Sequence, residues 1–258
     1  MNKLHQAFEN KKAFIAFVTA GDPDLETTEQ LVLAMTEAGA DLIELGIPFS
    51  DPVAEGVVIQ QADERALASG TTTDKIFDMV KRVRQHTDVP LAFMTYINPI
   101  YVYGAERFLS SCAACGVDAV IVPDLPFEER SELLLFCEAN DVRLISLIAP
   151  TSQARIGMIA AEAQGFVYCV SSLGVTGVRS AITTDIDAMV RRIKAAKNIP
   201  CAIGFGISTP EQAQEMAAVA DGVIVGSAIV KLVAQLGKDS IGPVGEYVRR
   251  MKSAISGL

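Results

Sequence analysis

Residues 201–233 read CAIGFGISTPEQAQEMAAVADGVIVGSAIVKLV and contain one full repeat of the pattern that decides the fold. A short apolar run is followed by a glycine-rich loop, a helical segment and a second apolar run. Thr209 and Pro210 mark the start of the helix, because threonine is a preferred capping residue and proline suits the first helical position. Gln212, three residues after the threonine, completes the signature of a capping box. The segment therefore predicts a strand, a helix and a second strand.

The same unit recurs along the whole chain. Eight apolar runs of strand length begin at intervals of about 20 to 50 residues, and their lack of alternation is typical of parallel strands covered on both faces. Eight such units in about 250 residues predict an α/β fold, a (β/α)8 TIM barrel that forms one domain over residues 1–258. A doubly wound sheet is the alternative, but no G-x-G-x-x-G follows the first run. The predicted strands are 13–19, 42–45, 91–94, 119–122, 142–148, 166–170, 201–204 and 222–225.

The first residues of the chain carry a separate pattern. Leu4, Ala7 and Phe8 are spaced as on one face of a helix, ahead of the first predicted strand. We expect an extra N-terminal helix that closes the bottom of the barrel.

Composition excludes several classes of function. The 22 Lys and Arg residues against 31 Asp and Glu residues give a net charge of −9, which argues against nucleic acid or an anionic membrane as a partner. No apolar run approaches the length of a membrane helix, and residues 1–12 contain no signal peptide. Five cysteines with one close pair, Cys112 and Cys115, and two distant histidines make a weak metal or redox pattern. We expect reduced, buried cysteines, no metal site and a cytoplasmic protein.

Glu44 is the first candidate for chemistry. It lies inside an apolar strand, and period-two alternation places it on the same face as Leu42, towards the barrel interior. An unpaired buried carboxyl has a raised pKa, which suits proton transfer near neutral pH. The alternative is a structural ion pair, but the strand ends that we identify carry no cation. This pattern favours a catalytic role.

The loops after the seventh and eighth strands predict an anion site. Gly204, Gly206 and Gly226 allow the backbone to approach a ligand closely, and Ser227 begins a helix whose free N–H groups face the loop. TIM barrels commonly bind phosphate at these two loops. Tight turns alone are the alternative explanation of the glycines.

The sequence does not decide the role of the other acidic loop residues. Glu55, Asp22, Asp51 and Asp124 follow predicted strands, where they could act on a substrate or simply be solvated charges and turn residues. A long polar stretch, 174–184, precedes the next helix. It is typical of a lid that closes over a small ligand, and a merely long connection is the alternative.

Five motifs in chain order resemble one family. FVTAGDP at 17–23, ELGIPFSDP at 44–52, GVTG at 174–177, GFGIS at 204–208 and GSAIV at 226–230 are similar to the alpha chain of tryptophan synthase. The resemblance implies a lyase that cleaves indole-3-glycerol phosphate to indole and glyceraldehyde 3-phosphate in tryptophan biosynthesis. It also implies no cofactor in this chain, and a beta chain with pyridoxal phosphate as the partner in an αββα tetramer.

The resemblance assigns roles residue by residue. Glu44 matches the acid and base of the family, and Glu55 matches a second carboxylate that is most often aspartate and that hydrogen-bonds the indole N–H. Tyr96 and Asn98 fall on a loop that contacts the beta chain in the family. The substrate-binding positions are Phe17, Met94 and Leu125 at the indole pocket, Tyr168 near the catalytic glutamate, Thr176 in the lid, and Gly177, Phe205, Gly206, Gly226 and Ser227 around the phosphate.

Two other functions are consistent with a barrel that carries a phosphate site. A sugar-phosphate isomerase or epimerase would use Glu44 equally well, but the aromatic residues at an indole-sized pocket argue against it. A non-enzymatic barrel that only binds and activates its partner would not need Glu44 or the phosphate loops. We therefore expect the lyase.

Overall fold

The protein is described by a computed structural model over residues 2–149, 153–170, 186–204 and 206–258. Its centre is a closed barrel of eight parallel strands, in which each strand pairs with its neighbours in sequence and the last returns to the first. This confirms the predicted (β/α)8 barrel, and the predicted strand bounds are within one residue of those observed. The strands are β1 (Ala13–Thr19), β2 (Leu42–Gly46), β3 (Leu91–Met94), β4 (Ala119–Ile121), β5 (Arg143–Ile148), β6 (Val167–Val170), β7 (Cys201–Gly204) and β8 (Gly222–Val225).

Helices follow the strands and cover the outside of the barrel. Short 3-10 turns lie at Leu4–Ala7, Phe127–Glu129 and Gly237–Ser240. The α-helices are α1 (Leu25–Glu37), α2 (Val57–Ala68), α3 (Thr73–Val83), α4 (Ile97–Tyr103), α5 (Ala105–Cys115), α6 (Ser131–Ala139), α7 (Gln153–Glu162), α8 (Ile186–Ala196), α9 (Pro210–Val219), α10 (Ser227–Leu236) and α11 (Ile241–Ile255).

The predicted capping box at the start of α9 is present. The Thr209 hydroxyl accepts from the backbone N–H of Gln212 at 3.3 Å, and the side-chain oxygen of Gln212 accepts from the backbone N–H of Thr209 at 3.2 Å. Pro210 is the first helical residue, where its missing N–H costs nothing. The start of this helix is therefore specified locally by its sequence.

The N-terminal segment forms a short 3-10 helix, Leu4–Ala7, at the predicted position. Leu4 and Ala7 are buried and join the apolar cluster that fills the barrel interior, as expected for a bottom plug. Asn10 then adopts the left-handed conformation, with φ of 55°, and β1 begins at Ala13.

Buried aspartates at the amino end of the barrel have cationic partners. Asp41, before β2, pairs with Lys11 and Lys252, each at 2.7 Å. Asp118, before β4, pairs with Arg84 at 3.0 Å. Paired charges of this kind belong to the end of the barrel that serves stability. Glu44, further along β2, has no such partner among the described residues.

The cysteines agree with the expectation drawn from composition. All five are buried and unbridged, and burial raises the pKa of their thiols at Cys115 to about 11 and at Cys137 to about 12. In addition, no helix within the described ranges has the length and apolar character needed to cross a membrane.

Candidate active site

Glu44 lies on the wall of the barrel with both carboxyl oxygens buried. Its register partners are Phe17 of β1 and Ala92 of β3, and its exposure is 0%. Neither oxygen has a hydrogen-bond partner among the described residues. Burial raises the pKa of this carboxyl from 4.5 to about 8. At neutral pH the group therefore holds a proton that it can donate, and its conjugate base can take one back.

Two glycines at strand ends make room for the aromatic rings near Glu44. A Cβ at Gly204 of β7 would lie 2.5 Å from the Tyr168 hydroxyl oxygen, and a Cβ at Gly46 of β2 would lie 2.6 Å from Cζ of Phe17. Tyr168 lies close enough to Glu44 for the charge of that carboxyl to raise the pKa of its hydroxyl, although burial is the larger cause. The two rings and the carboxyl thus form one compact group.

A cavity at the carboxyl end of the barrel brings together most of the predicted substrate-binding residues. Glu44 is adjacent to the cavity wall, because two of the lining residues are its neighbours Phe17 and Tyr168. Such a cavity, apolar with few polar groups, is typical of a small-molecule site. Its lining residues are Phe17, Ala54, Glu55, Ile59, Met94, Pro123, Leu147, Tyr168, Gly206, Ile207, Ile224, Gly226 and Ser227.

Leu125, predicted for the indole pocket, does not line this cavity. It lies at a second cavity between β4, β5, α6 and α7, and it packs against the outer apolar cluster. It lies in a turn directly after β4, in which the Leu125 N–H donates to the Val122 carbonyl at 3.2 Å.

Glu55 is held at the cavity by the loop that precedes α2. Gly56 caps the helix, and the Ala54 N–H donates to the Tyr96 hydroxyl at 3.0 Å. Tyr96 lies on the loop after β3, as expected, and its side chain is 2% exposed. Burial raises the pKa of Glu55, while hydrogen bonding by Asp63 and Tyr96 acts to lower it. One oxygen, Oε2, is buried without a hydrogen-bond partner in the part of the chain that the structure describes.

Asp63 is a buried acid next to Glu55 that sequence analysis missed. It projects from α2 with 4% exposure and shares a hydrogen bond with the Glu55 carboxyl. Burial, followed by the Glu55 charge, raises the pKa of Asp63 well above the usual aspartate range. A sequence signal existed, because Asp63 falls on the same helical face as Ile59 and Ala66, where a lone carboxylate is unusual.

The loops after β7 and β8, whose residues also line the cavity, have the features of an anion site. Gly206 has a φ of 84°, a conformation that favours glycine, and Gly226 is the capping residue of α10. Ser227 begins that helix, whose first turn contains no acidic residue. The free N–H groups and the positive end of the helix dipole therefore face the cavity.

The remaining aspartates of the loops have structural partners. Asp22 accepts two hydrogen bonds from Arg65, at 2.8 Å and 2.7 Å. Asp124 accepts from the N–H of Ile97 at 2.9 Å and so satisfies the first turn of α4. No metal-binding cluster of His, Cys, Asp and Glu side chains is present within the described ranges.

Three predicted site residues lie outside the described residues. They are Thr176, Gly177 and Phe205, and the whole predicted lid, 174–184, also falls outside.

Comparison with known proteins identifies close relatives along the full chain. The family model described as "Tryptophan synthase alpha chain" matches residues 3–255. The chain is 50% identical to the tryptophan synthase alpha chain of Lactiplantibacillus plantarum over 258 residues, covering 100% of this chain and 97% of that protein. It is 48% identical to that of Lacticaseibacillus casei over 255 residues, covering 99% and 96%.

Solved structures agree with these relatives. The crystal structure of tryptophan synthase subunit alpha from Legionella pneumophila is similar with a TM-score of 0.89 and 36% identity, covering 99% of this chain and 98% of that chain. A structure of the tryptophan synthase α2β2 complex from Pyrococcus furiosus is similar with a TM-score of 0.86 and 38% identity, covering 93% and 98%.

Proposed function

The chain belongs to the tryptophan synthase alpha chain family, whose reaction is the cleavage of indole-3-glycerol phosphate, and we propose that Glu44 and Glu55 perform this reaction here. The products are indole and glyceraldehyde 3-phosphate, and the enzyme is a carbon–carbon lyase of tryptophan biosynthesis. An isomerase or epimerase is not supported, since the family model covers nearly the whole chain.

Glu44 supplies the proton transfers of a retro-aldol cleavage. Its neutral carboxyl, with a pKa of about 8, protonates the indole carbon that bears the side chain. The resulting carboxylate takes the proton of the glycerol hydroxyl as the bond between indole and glycerol breaks. The electrons of that bond restore the aromatic ring, and the released chain leaves as an aldehyde. Glu44 ends the cycle protonated, as it began.

Glu55 stabilises the charge that develops on the ring. Protonation of the indole carbon places positive charge on the ring nitrogen. A carboxylate that accepts a hydrogen bond from the N–H stabilises this charged state more than it stabilises the ground state. The Glu55 side chain lines the cavity, where its carboxylate can accept this bond.

Substrate binding divides between two groups of residues that line the cavity. Phe17 and Met94 offer apolar contact to the indole, and Tyr168 bounds the pocket beside Glu44. Gly206, Gly226 and Ser227 offer backbone N–H groups and a hydroxyl to the phosphate. We assign Gly177 and Phe205 to the phosphate, Thr176 to the lid and Leu125 to the indole pocket from the family resemblance alone.

We further infer the setting in which the chain works. The related Pyrococcus furiosus protein forms an α2β2 complex, and we propose the same partner, a beta chain that carries pyridoxal phosphate and receives the indole. We propose that the chain has no cofactor of its own, is a single domain over residues 1–258 and is cytoplasmic.

The observation that carries the assignment is the buried carboxyl of Glu44 with no partner among the described residues, beside the cavity. Glu44→Gln keeps the shape of the side chain and removes its acidity. We expect the rate of indole release from indole-3-glycerol phosphate to fall at least about a thousandfold, within the range of general acid–base catalysis.

The control is Glu64→Gln, which removes an exposed charge on α2 and leaves the rate unchanged. Substrate binding to Glu44→Gln, measured by calorimetry, shows that the site is intact. A variant that retained a tenth of the wild-type rate would remove Glu44 from the chemistry.

A further inference from the structure

The strongest unexplained feature is the contact between two acidic side chains, Glu55 and Asp63. Asp63 is 4% exposed and its carboxyl is hydrogen-bonded to that of Glu55. The family resemblance assigns no role to Asp63, and the chemistry described above does not use it. Two carboxylates in contact cannot both be ionised at low cost, so the pair must hold a proton.

The groups around the pair indicate which side chain holds that proton. Arg65, two residues after Asp63 in α2, donates two hydrogen bonds to Asp22, and the charge of Asp22 itself disfavours an ionised Asp63. The backbone N–H of Phe49 is the remaining polar neighbour, and it offsets only part of the cost.

The environment of Glu55 is more favourable to a negative charge. Its side chain is half-buried, it borders the cavity, and the Tyr96 hydroxyl faces it. The hydroxyl of Tyr96 accepts from the Ala54 N–H and is itself kept neutral by burial and by the Glu55 charge. Burial of Asp63 and partial solvation of Glu55 thus place the proton on Asp63.

We propose that Asp63 is a positioning residue that stays protonated and donates a hydrogen bond to Glu55, so that the pair carries one negative charge directed at the cavity. The proposal rests on the proposed role of Glu55 in binding the indole N–H. The bond holds the Glu55 carboxylate at the cavity that it lines, where the substrate would bind. It also compensates for the freedom of a glutamate side chain by fixing its carboxylate.

A first experiment locates the proton without any substrate. The protein is labelled with carbon-13 in the aspartate side-chain carboxyls, and its carbon spectrum is followed against pH, with Asp63→Asn identifying the Asp63 signal. We expect Asp63 to titrate above about pH 7, since an ordinary aspartate titrates near 4. A midpoint below about pH 5 would overturn the proposal, whatever the role of Glu55.

A second experiment tests positioning by kinetics. Asp63→Ala removes the donor, and we expect kcat for indole release to fall about tenfold, the effect of one hydrogen bond. Asp63→Asn can donate the same bond, so we expect it to recover most of that loss. Circular dichroism and urea unfolding confirm that both variants are folded.

The pH dependence separates positioning from a merely structural role. As Asp63 ionises in the wild type, two adjacent charges repel and Glu55 loses its alignment, whereas the asparagine cannot ionise. The ratio of kcat/KM for Asp63→Asn to that of the wild type should therefore rise between about pH 7 and about pH 10. The titration of Glu44 is common to both proteins and cancels in the ratio.

The possible failures are distinguishable. A ratio that is independent of pH contradicts the proposal. Glu64→Gln, a charge removal on the exposed face of the same helix, should give a flat ratio and serves as the control. If Glu55→Ala kept full activity while Asp63 titrated above about pH 7, the proposed role of Glu55 would fail, but the shared proton would stand.

Discussion

At the scale of single residues, the site depends on how each carboxyl is surrounded. Asp41 and Asp118 are buried at the amino end of the barrel with lysine or arginine partners. Glu44 is buried near the carboxyl end with no such partner among the described residues. The same type of group therefore forms a structural ion pair at Asp41 and Asp118 and is an acid at Glu44.

The unpaired burial of Glu44 predicts a pH-dependent cost in stability. The pKa of its carboxyl is about 8 in the folded protein against 4.5 ordinarily, so between these values the folded chain binds a proton that the unfolded chain does not. The contribution of Glu44 to the free energy of unfolding therefore falls as pH rises through this range, by at most about 1.4 kcal/mol per pH unit. Glu44→Gln should remove this slope in urea unfolding at several pH values.

The control for this measurement is Glu64→Gln, which should keep the wild-type slope. Stability curves for Glu44→Gln and wild type that run parallel between about pH 5 and about pH 8 would contradict the raised pKa.

Glu55 stands where the family most often has aspartate, and two variants test its role. Glu55→Ala should reduce turnover by about 10²-fold or more, the effect of removing one charge-stabilising group. Glu55→Asp should recover only part of the activity, because the shorter carboxylate falls short of both the indole N–H and Asp63. Steady-state kinetics of indole release provides the measurement. Full activity in Glu55→Ala would exclude the role, since a solvated loop charge predicts no change.

At the scale of elements, strand ends and helix starts shape the cavity. Glycines end β2 and β7 where the rings of Phe17 and Tyr168 need space. Gly226, between β8 and α10, also leaves space for the Phe17 ring, because a Cβ at position 226 would lie 3.3 Å from Cδ1 of that ring. Added bulk at position 226 would therefore press on the indole pocket as well as on the start of α10.

Gly226→Val tests this boundary between pocket and phosphate site. We expect a sharply raised KM for indole-3-glycerol phosphate, because the side chain displaces Phe17 and obstructs the approach of the phosphate to the helix N-terminus. Gly242→Ala is the matched control, since a Cβ at that glycine of α11 meets nothing within 4 Å. Inorganic phosphate should compete with substrate in the wild type. If it did not, the anion site would be misplaced.

At the scale of the whole molecule, the carboxyl end of the barrel, which holds the cavity, also presents a surface on which a partner could dock. Large apolar side chains are exposed on the loop after β2 and on α4, including Val53 at 72% and Val102 at 81%. Both segments follow strands at the carboxyl end of the barrel, beside the cavity. An exposed apolar surface in this position suits the docking of the proposed beta chain.

The assembly prediction follows from this surface. Alone, the chain should be a monomer in light scattering, and addition of a beta chain should give an αββα complex. Val53→Lys should weaken that complex, whereas Leu236→Lys, a comparable change at the far end of α10, should not. A stable homodimer that does not change when the beta chain is added would count against the prediction.

The sequence alone determined the barrel, because strands, turns and caps depend on nearby residues. The period of the apolar runs predicted all eight strands to within one residue, and Thr209 with Gln212 predicted the start of α9. Alternation within β2 was sufficient to place Glu44 inside the barrel. The spacing of Leu4 and Ala7 was likewise sufficient to predict the N-terminal plug, which is a 3-10 helix.

Only the tertiary structure decided the state of the carboxyls and the walls of the cavity. The contact between Glu55 and Asp63, the burial of Tyr96 and the place of Leu125 at the second cavity all depend on elements that are brought together by the closed barrel. A pKa depends on solvation and on every neighbouring charge, whatever its distance in sequence. For that reason the pattern of residues identified Glu44 as a candidate acid, while its pKa of about 8 follows from the complete burial that the fold imposes.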